Sequence, residues 1–257
     1  MSKRSIDITS DVGEGFANYT FGNDEEIMKY ISSANVACGF HAGDPVIMRK
    51  TVGLAKKNKV AVGAHVGLPD LLGFGRRVME ISPEECRDYV VYQIGALKAF
   101  TEANNMRLQH ANPHGALATM ANNNEAIARA ILEAIKEVDP SLYFMSRPGL
   151  LGFQLAKDFG FQVKSFIAVD MQYYSDGRFV TERHKKGIGS KEIVKRVREL
   201  IYEGKVGAVG GGYYEIDPDT LLVHSDNPKA IENLKVLRLE LENAGIEVQS
   251  FSGSHQS

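Results

Sequence analysis

Short apolar runs alternate with longer amphipathic segments along most of the chain. The short runs have the length of β-strands and predict strands at Ser5–Thr9, Ser33–Cys38, Val60–His65, Leu108–Pro113, Leu142–Met145, Gln162–Ala168, Val206–Gly210 and Leu221–His224. The longer segments repeat apolar residues at intervals of three and four and predict helices at Glu84–Thr101, Asn123–Val138, Lys191–Tyr202 and Pro228–Asn243. Asn227 is the expected N-cap of the last helix, with Pro228 in its first turn.

This alternation of strands and helices predicts an α/β protein with a mostly parallel sheet covered by helices. Such a sheet either stays open and doubly wound or closes into a barrel. No GxGxxG motif follows the first strand, so the nucleotide-binding fingerprint of the open fold is missing. Polar residues collect where several strands end, and the strand ends of a barrel meet at one face. We therefore expect a β/α barrel formed by residues 1–251, followed by a flexible tail at 252–257.

Charge and cysteine content narrow the class of protein. The 257 residues include 30 Lys and Arg against 32 Asp and Glu, a net charge of −2 that gives no reason to expect nucleic acid or an anionic membrane as a partner. No stretch approaches the roughly 20 apolar residues of a membrane helix, and the segment MSKRSIDIT lacks the apolar core of a signal peptide. Cys38 and Cys86 are too few for a disulfide scaffold. We expect a cytoplasmic protein.

Histidines and carboxylates concentrate at the predicted strand ends. The histidines are His41, His65, His110, His114 and His224, and the acidic residues near them are Asp11, Glu14, Asp44, Asp70, Asp170 and Asp226. Histidine supplies metal ligands and acid–base groups near neutral pH, and carboxylates supply ligands and bases. One such histidine is more often structural, but several segments together predict a shared polar site. The spacing matches no local metal motif, so metal binding stays open.

Three further segments have two interpretations each. Arg76 and Arg77, in GFGRR, are suited to hold a carboxylate or phosphate, or else form surface ion pairs. The segment VGAVGGGYY at 206–214 lacks the Lys-Ser/Thr of a P-loop and is expected to be a flexible loop over the site. Cys38 lies three residues before His41, but a nucleophile would need a lowered pKa, and a buried inert thiol is the favoured interpretation.

Several long motifs together resemble one known family. In order along the chain they are DITSDVGEGF, SSANVACGFHAGDP, VGAHVGLPDLLGFGRR, VVYQIGALKA, NPHGAL, YYSDGRFV and VHSDNPKAI. They resemble the LamB/YcsF family, which contains the A subunit of the prokaryotic 5-oxoprolinase. The resemblance implies a seven-stranded β/α barrel similar to that of polysaccharide deacetylases. It also implies ATP-dependent opening of a small lactam, 5-oxoproline, to L-glutamate, together with companion B and C subunits.

The residues that match the family motifs receive expected roles. Those expected to be catalytic are Asp11, His65, His114 and Asp226. Those expected to bind substrate or phosphate are Glu14, Asn35, His41, Asp44, Arg76, Arg77 and Asp170. Asp11, His65 and His114 are also the candidate ligands of a divalent metal ion.

Three positions depart from the family motifs in charge. Asn112 stands where the family has Lys, Met171 where it has Arg, and Glu182 at another usual Arg. Losing cations from a site weakens the binding of anionic groups and the stabilisation of negative charge that develops in the transition state.

Four interpretations of the function stay open: retained 5-oxoprolinase activity, a less anionic lactam or cyclic amide as substrate, metal-dependent amide hydrolysis or deacetylation without ATP, and a non-catalytic ligand-binding subunit. The oligomeric state is also open, with a homo-oligomer among the arrangements considered.

Overall fold

A computed structural model describes residues 5–180 and 188–253. Seven parallel strands close into a barrel, which confirms the predicted fold class. They follow one another around the barrel in chain order as β1 (Ser5–Val12), β2 (Ser33–Ala37), β3 (Ala61–Val66), β4 (Leu108–Pro113), β5 (Tyr143–Ser146), β6 (Val163–Ala168) and β9 (Thr220–Leu222). The barrel closes where β9 pairs with β1. A short strand β10 (Glu247–Val248) pairs with the beginning of β1.

Eight α-helices connect and cover these strands in the described part of the chain. They are α1 (Asp24–Ile27), α2 (Pro45–Asn58), α3 (Pro83–Glu102), α4 (Gly115–Asn123), α5 (Glu125–Val138), α6 (Leu151–Asp158), α7 (Ser190–Glu203) and α8 (Ala230–Asn243). Helices α2 and α3 begin in the same way. Asp44 and Ser82 cap the free N–H groups of the first turn, and a proline follows each cap. In the described residues, no helix has the length and apolar character needed to cross a bilayer.

The two faces of each barrel strand have different neighbours. On β1 the residues Ile6, Ile8 and Val12 belong to the apolar core, which also contains side chains of the covering helices. The alternate residues Asp7, Thr9 and Asp11 lie on the other face. They are buried and hydrogen-bonded to residues of other strands or of the loop before β2. The barrel interior is therefore partly polar, and Asp11 lies toward the carboxyl end of its strand.

The structure differs from the sequence prediction at several elements. The apolar run predicted as a strand at Val206–Gly210 forms β7 (Lys205–Gly207), which pairs antiparallel with β8 (Tyr213–Glu215) in a separate two-stranded ribbon. Helices α1, α2, α4 and α6 were not predicted. The last helix begins at Ala230 rather than Pro228, because Asn227 accepts a hydrogen bond from the Lys229 N–H in a turn that precedes the helix. The domain boundary at 251 stays a prediction, and residues 254–257 of the expected tail lie outside the described residues.

Candidate active site

The carboxyl ends of the barrel strands surround a cavity of about 360 Å³. The register of the sheet places polar residues side by side there, since Asp11 pairs with Asn35 and His65 pairs with Asn112. The polar side chains that line the cavity include Asp11, His65, Arg76, Asn112, His114 and His224. Four separate strand ends thus contribute to one site, as the positions of the histidines predicted.

His65 and His114 face each other through one ring nitrogen each. The Nε2 atom of His65 lies 2.9 Å from Nδ1 of His114. The opposite nitrogens are engaged by backbone carbonyls, with His65 Nδ1 donating to Asn112 O at 2.9 Å and His114 Nε2 donating to Phe74 O at 2.8 Å. Two neutral rings in these tautomers direct lone pairs at each other. A single proton or a shared cation between the two nitrogens removes that repulsion.

His41 and Glu14 complete a cluster around these two rings. The His41 ring is fully buried and stacks on His114 with centroids 3.8 Å apart. Its Nε2 lies 3.5 Å from Oε1 of Glu14. Neither ring nitrogen of His41 has a hydrogen-bond partner among the described residues. A buried polar atom without a partner is costly, and this ring therefore points to a ligand.

The donor set of this cluster fits a divalent transition metal ion. One ligand atom from each of Glu14, His41, His65 and His114 lies within 4.8 Å of the others. Imidazole nitrogens with one carboxylate oxygen are ligands that suit Zn²⁺ and similar ions. The carbonyl contacts at the outer nitrogens of His65 and His114 are the usual means of orienting a metal-bound histidine. The sequence predicted Asp11, His65 and His114 as the metal ligands. The structure adds His41 and Glu14 to the two histidines.

Asp11 is held as an ionised carboxylate beside this cluster. Its Oδ1 accepts a hydrogen bond from Asn35 Nδ2 at 2.8 Å, and its Oδ2 lies 3.5 Å from Nε2 of His65. Burial raises the pKa of Asp11, but the charge and hydrogen bond of His65, the charge of His224 and the hydrogen bond of Asn35 outweigh it. They hold that pKa well below its ordinary value. Burial alone would lower the pKa of His65, whereas the Asp11 carboxylate raises it.

Two more pairs fix polar groups around the cavity. The Nδ1 atom of His224 donates to Oδ1 of Asp170 at 2.9 Å, which leaves Nε2 facing Asp11 at 3.9 Å. Arg76 Nη2 contacts Oδ2 of Asp226 at 2.5 Å. Asp170 and Asp226, predicted as substrate-binding and catalytic residues, therefore hold His224 and Arg76 in place.

Several predicted site residues lie outside the cavity lining. The carboxylate of Asp44 caps α2 by accepting from the N–H groups of Val46 and Ile47. Arg77 has a largely exposed side chain and forms an ion pair with Asp70. Local hydrogen bonding accounts for both Asp44 and Arg77, and their roles in binding substrate stay predictions. Glu182 lies outside the described residues.

The glycine-rich segment and Cys38 also have defined places. Gly210, Gly211 and Gly212 adopt positive φ angles in the turn between β7 and β8. None of the residues 206–214 is among those that line the cavity.

Cys38 is buried, and its burial raises the pKa of the thiol to about 12. A thiol with that pKa is not an activated nucleophile, in agreement with the favoured interpretation.

Arg147 is a charged cavity residue that was not among the residues predicted from the sequence. It follows the last residue of β5 and lines the same cavity as Asn112 and Met171. Its position two residues after the predicted strand Leu142–Met145 was the signal that could have found it, because other cavity residues also lie at or near strand ends. The two neutral residues Asn112 and Met171 therefore do not leave this cavity without a cation.

Known proteins similar to this chain point to one family. The profile of the LamB/YcsF family matches residues 6–256. The chain is 49% identical over 246 residues to the A subunit of 5-oxoprolinase from Thermococcus onnurineus, covering 95% of this chain and 96% of that protein. A crystal structure of the lactam utilization protein from Thermus thermophilus has a TM-score of 0.89 at 40% identity, covering 96% of this chain and 100% of that chain.

A more distant structure shares only the fold. A peptidoglycan N-acetylglucosamine deacetylase has a TM-score of 0.51 at 11% identity, over 97% of this chain and 87% of that chain. The barrel architecture is thus found in deacetylases too, as the resemblance implied.

Proposed function

The chain belongs to the LamB/YcsF family, and from this premise and the geometry of its cavity we propose that it is the A subunit of an enzyme that hydrolyses 5-oxoproline to glutamate. The observation that carries the proposal is the convergence of Asp11, His65, His114 and His224 on one cavity. The high identity to a relative that is named as the A subunit of 5-oxoprolinase supports the choice of substrate class.

The chemical problem is the stability of the lactam bond. Amide resonance makes the carbonyl carbon a poor electrophile. ATP would overcome this by transferring its γ-phosphoryl group to the carbonyl oxygen, with ADP leaving, so that water can attack the activated carbon. The C–N bond then breaks, and hydrolysis releases inorganic phosphate. The ATP requirement and the companion B and C subunits come from the family resemblance and are parts of the proposal.

Asp11 has the properties of the general base. It is ionised, lies in the cavity, and is held through Oδ1 by Asn35 so that Oδ2 is left to accept a proton from water. His224 lines the cavity with Nδ1 donating to Asp170 and with Nε2 facing Asp11, a position suited to pass a proton to the nitrogen released when the ring opens. Arg76, fixed by Asp226, lies at the cavity wall and is suited to contact anionic oxygens.

The cluster of Glu14, His41, His65 and His114 would hold the metal ion in this proposal. A bound divalent ion supplies Lewis-acid polarisation of an oxygen and lowers the pKa of a water molecule. The same cluster favours a second candidate function, metal-dependent hydrolysis of an amide without ATP. Both candidates use the same residues, and they differ in the need for ATP and partner subunits.

The test is glutamate production from 5-oxoproline by the purified chain with its B and C subunits, with and without ATP. Formation of glutamate only when ATP and both partners are present supports the proposal. Formation of glutamate without ATP supports the second candidate. If this chain gives no turnover while its Thermococcus onnurineus relative is active with the same partners, the proposal is wrong and a ligand-binding role is favoured.

Substitution of the base tests the assignment of residues. We expect Asp11→Asn to lower kcat by about 10²–10⁴-fold, the usual contribution of a general base. Asp158→Asn is the matched control, because Asp158 is an exposed carboxylate on α6 outside the cavity lining. Equal activity of the two variants would remove Asp11 from the mechanism.

A further inference from the structure

Arg147 lies at the apolar side of the cavity. The residue is only 6% exposed, and its guanidinium carbon lies 3.7 Å from the ring centroid of Phe179 and 4.9 Å from that of Phe166. The Nε atom donates to the carbonyl oxygen of Gly177 at 3.1 Å. These contacts fix the plane of the guanidinium group, and they use only one of its five N–H donors.

No carboxylate in residues 5–180 and 188–253 forms an ion pair with Arg147. This is unlike Arg76, the other arginine of the cavity, which is paired with Asp226. The two Nη groups of Arg147 likewise have no hydrogen-bond acceptor within these ranges. A buried cation without a counter-ion is costly, and an arginine keeps its charge at all physiological pH values. The arrangement is that of a preformed site for an anion.

The cavity supplies the rest of such a site. Phe166, Leu222 and Met145 form an apolar cluster that lines it next to Arg147, and Met171 packs on this cluster. A small ring with methylene groups fits an apolar wall. A carboxylate attached to the ring would form two parallel hydrogen bonds with a guanidinium fork.

We infer that Arg147 determines substrate specificity by binding the carboxylate of a lactam acid. It thereby takes over the positive charge that is absent at Asn112 and Met171, which line the same cavity. This inference rests on the proposed function for the lactam, and it names the group that the cavity recognises. A lactam without a carboxylate, such as 2-pyrrolidinone, would leave Arg147 without an anionic partner.

The test compares 5-oxoproline with 2-pyrrolidinone as ligands of wild type and of Arg147→Met. Affinities for the purified chain are measured by calorimetry, and kcat/KM is measured on the assembled enzyme. We expect Arg147→Met to weaken 5-oxoproline binding by about 100-fold, as for loss of a buried charge partner. The loss in kcat/KM should come mainly from KM. Affinity for 2-pyrrolidinone should change by less than about threefold.

Two further variants keep the comparison of the two lactams informative even if Arg147→Met does not fold. Arg147→Lys keeps the charge but loses the planar fork, and we expect an intermediate loss of about tenfold for 5-oxoproline. Adding Met171→Arg to Arg147→Met returns a cation to the same cavity and should recover part of the affinity. Thermal unfolding followed by circular dichroism checks that each variant is folded. If Arg147→Met does not fold, the Arg147→Lys variant gives the same comparison of the two lactams.

The inference is overturned if folded Arg147 variants bind 5-oxoproline and 2-pyrrolidinone in the same ratio as wild type. It is also overturned if Arg147→Met loses affinity for inorganic phosphate while its affinity for 5-oxoproline is unchanged, since Arg147 would then bind a phosphoryl group. Failure of the proposed function looks different, because the wild-type assembly would then open neither lactam whatever residue stands at 147.

Discussion

The imidazole rings of His41 and His114 stack face to face, with centroids 3.8 Å apart and an angle of 7° between their planes. Two imidazolium ions would repel each other in this arrangement. Burial, with the positive charges of neighbouring groups adding to it, lowers the pKa of His114 to about 3 and that of His41 well below its ordinary value. Both rings are therefore neutral at physiological pH, which is the state in which histidine binds a metal ion.

Metal binding is the first prediction. We expect the purified protein to bind one Zn²⁺ ion per chain and His41→Ala to weaken that binding by at least about 100-fold, because His41 is one of the four grouped donors. Calorimetric titration of the metal-stripped protein measures the affinity, and elemental analysis measures the stoichiometry. His224→Ala is the control, since His224 lines the cavity but is not in the cluster. Equal binding by both variants would place the ion elsewhere.

The pH dependence of activity follows from the environment of Asp11. A base must be ionised, so activity is present above its pKa and is lost as the pH falls through it. Asn35 contributes to the low pKa by donating a hydrogen bond of 2.8 Å to Oδ1. We expect Asn35→Ala to raise that pKa and move the acid limb of the kcat/KM profile upward by about one pH unit.

The control for this shift is Asn123→Ala, which removes an exposed amide that donates to Thr119 O on α4. Its profile should coincide with that of wild type. An unchanged acid limb in Asn35→Ala, measured on protein with a native circular dichroism spectrum, would show that Asp11 does not set the limb.

Much of the site could be predicted because parallel strands impose a simple rule. In a closed parallel barrel all carboxyl ends face the same way, so His65, His114 and His224 must converge once each is placed at or just beyond the end of a strand. The rule does not distinguish a residue whose side chain enters the cavity from one whose side chain caps the helix that follows the strand. Asp44 was predicted to bind substrate, and its cap on α2 could have been recognised from the proline that follows it.

Other features depend on contacts that a linear pattern does not contain. The apolar residues of Val206–Gly210 are compatible with a barrel strand, but three glycines with positive φ turn the chain back and give the antiparallel ribbon of β7 and β8. The partners of Arg147 come from separate parts of the chain, with Phe166 on β6 and Phe179 in the segment after it. Neither its burial nor the lack of a carboxylate partner among residues 5–180 and 188–253 could be read from the sequence.

The two thiols give a prediction about reactivity. Both are buried, and burial raises the pKa of Cys38 and that of Cys86 to about 12. At pH 8 the thiolate fraction is then on the order of 10⁻⁴. We expect 5,5′-dithiobis(2-nitrobenzoic acid) to label neither cysteine in the native protein and both in guanidinium chloride.

Cys38→Ala should keep the activity within about twofold, since no step of the proposed reaction uses the thiol. Rapid native labelling, or loss of activity in folded Cys38→Ala, would make Cys38 a catalytic candidate again.

Close packing around His41 gives the last prediction. A Cβ atom at Gly67 would lie 2.5 Å from Nδ1 of His41, well inside van der Waals contact. Gly67→Ala should therefore push the ring out of its stack on His114, lower the free energy of unfolding by about 1–3 kcal/mol, and weaken Zn²⁺ binding.

Gly53→Ala is the matched control, because Gly53 lies within α2 and a Cβ there meets nothing within 4 Å. Its added methyl group should stabilise the helix by about 0.5–1 kcal/mol and leave metal affinity unchanged. Chemical denaturation and metal titration of the two variants check both parts. If Gly67→Ala binds Zn²⁺ as tightly as Gly53→Ala does, the position of His41 does not matter for the ion, and His41 is not one of its ligands.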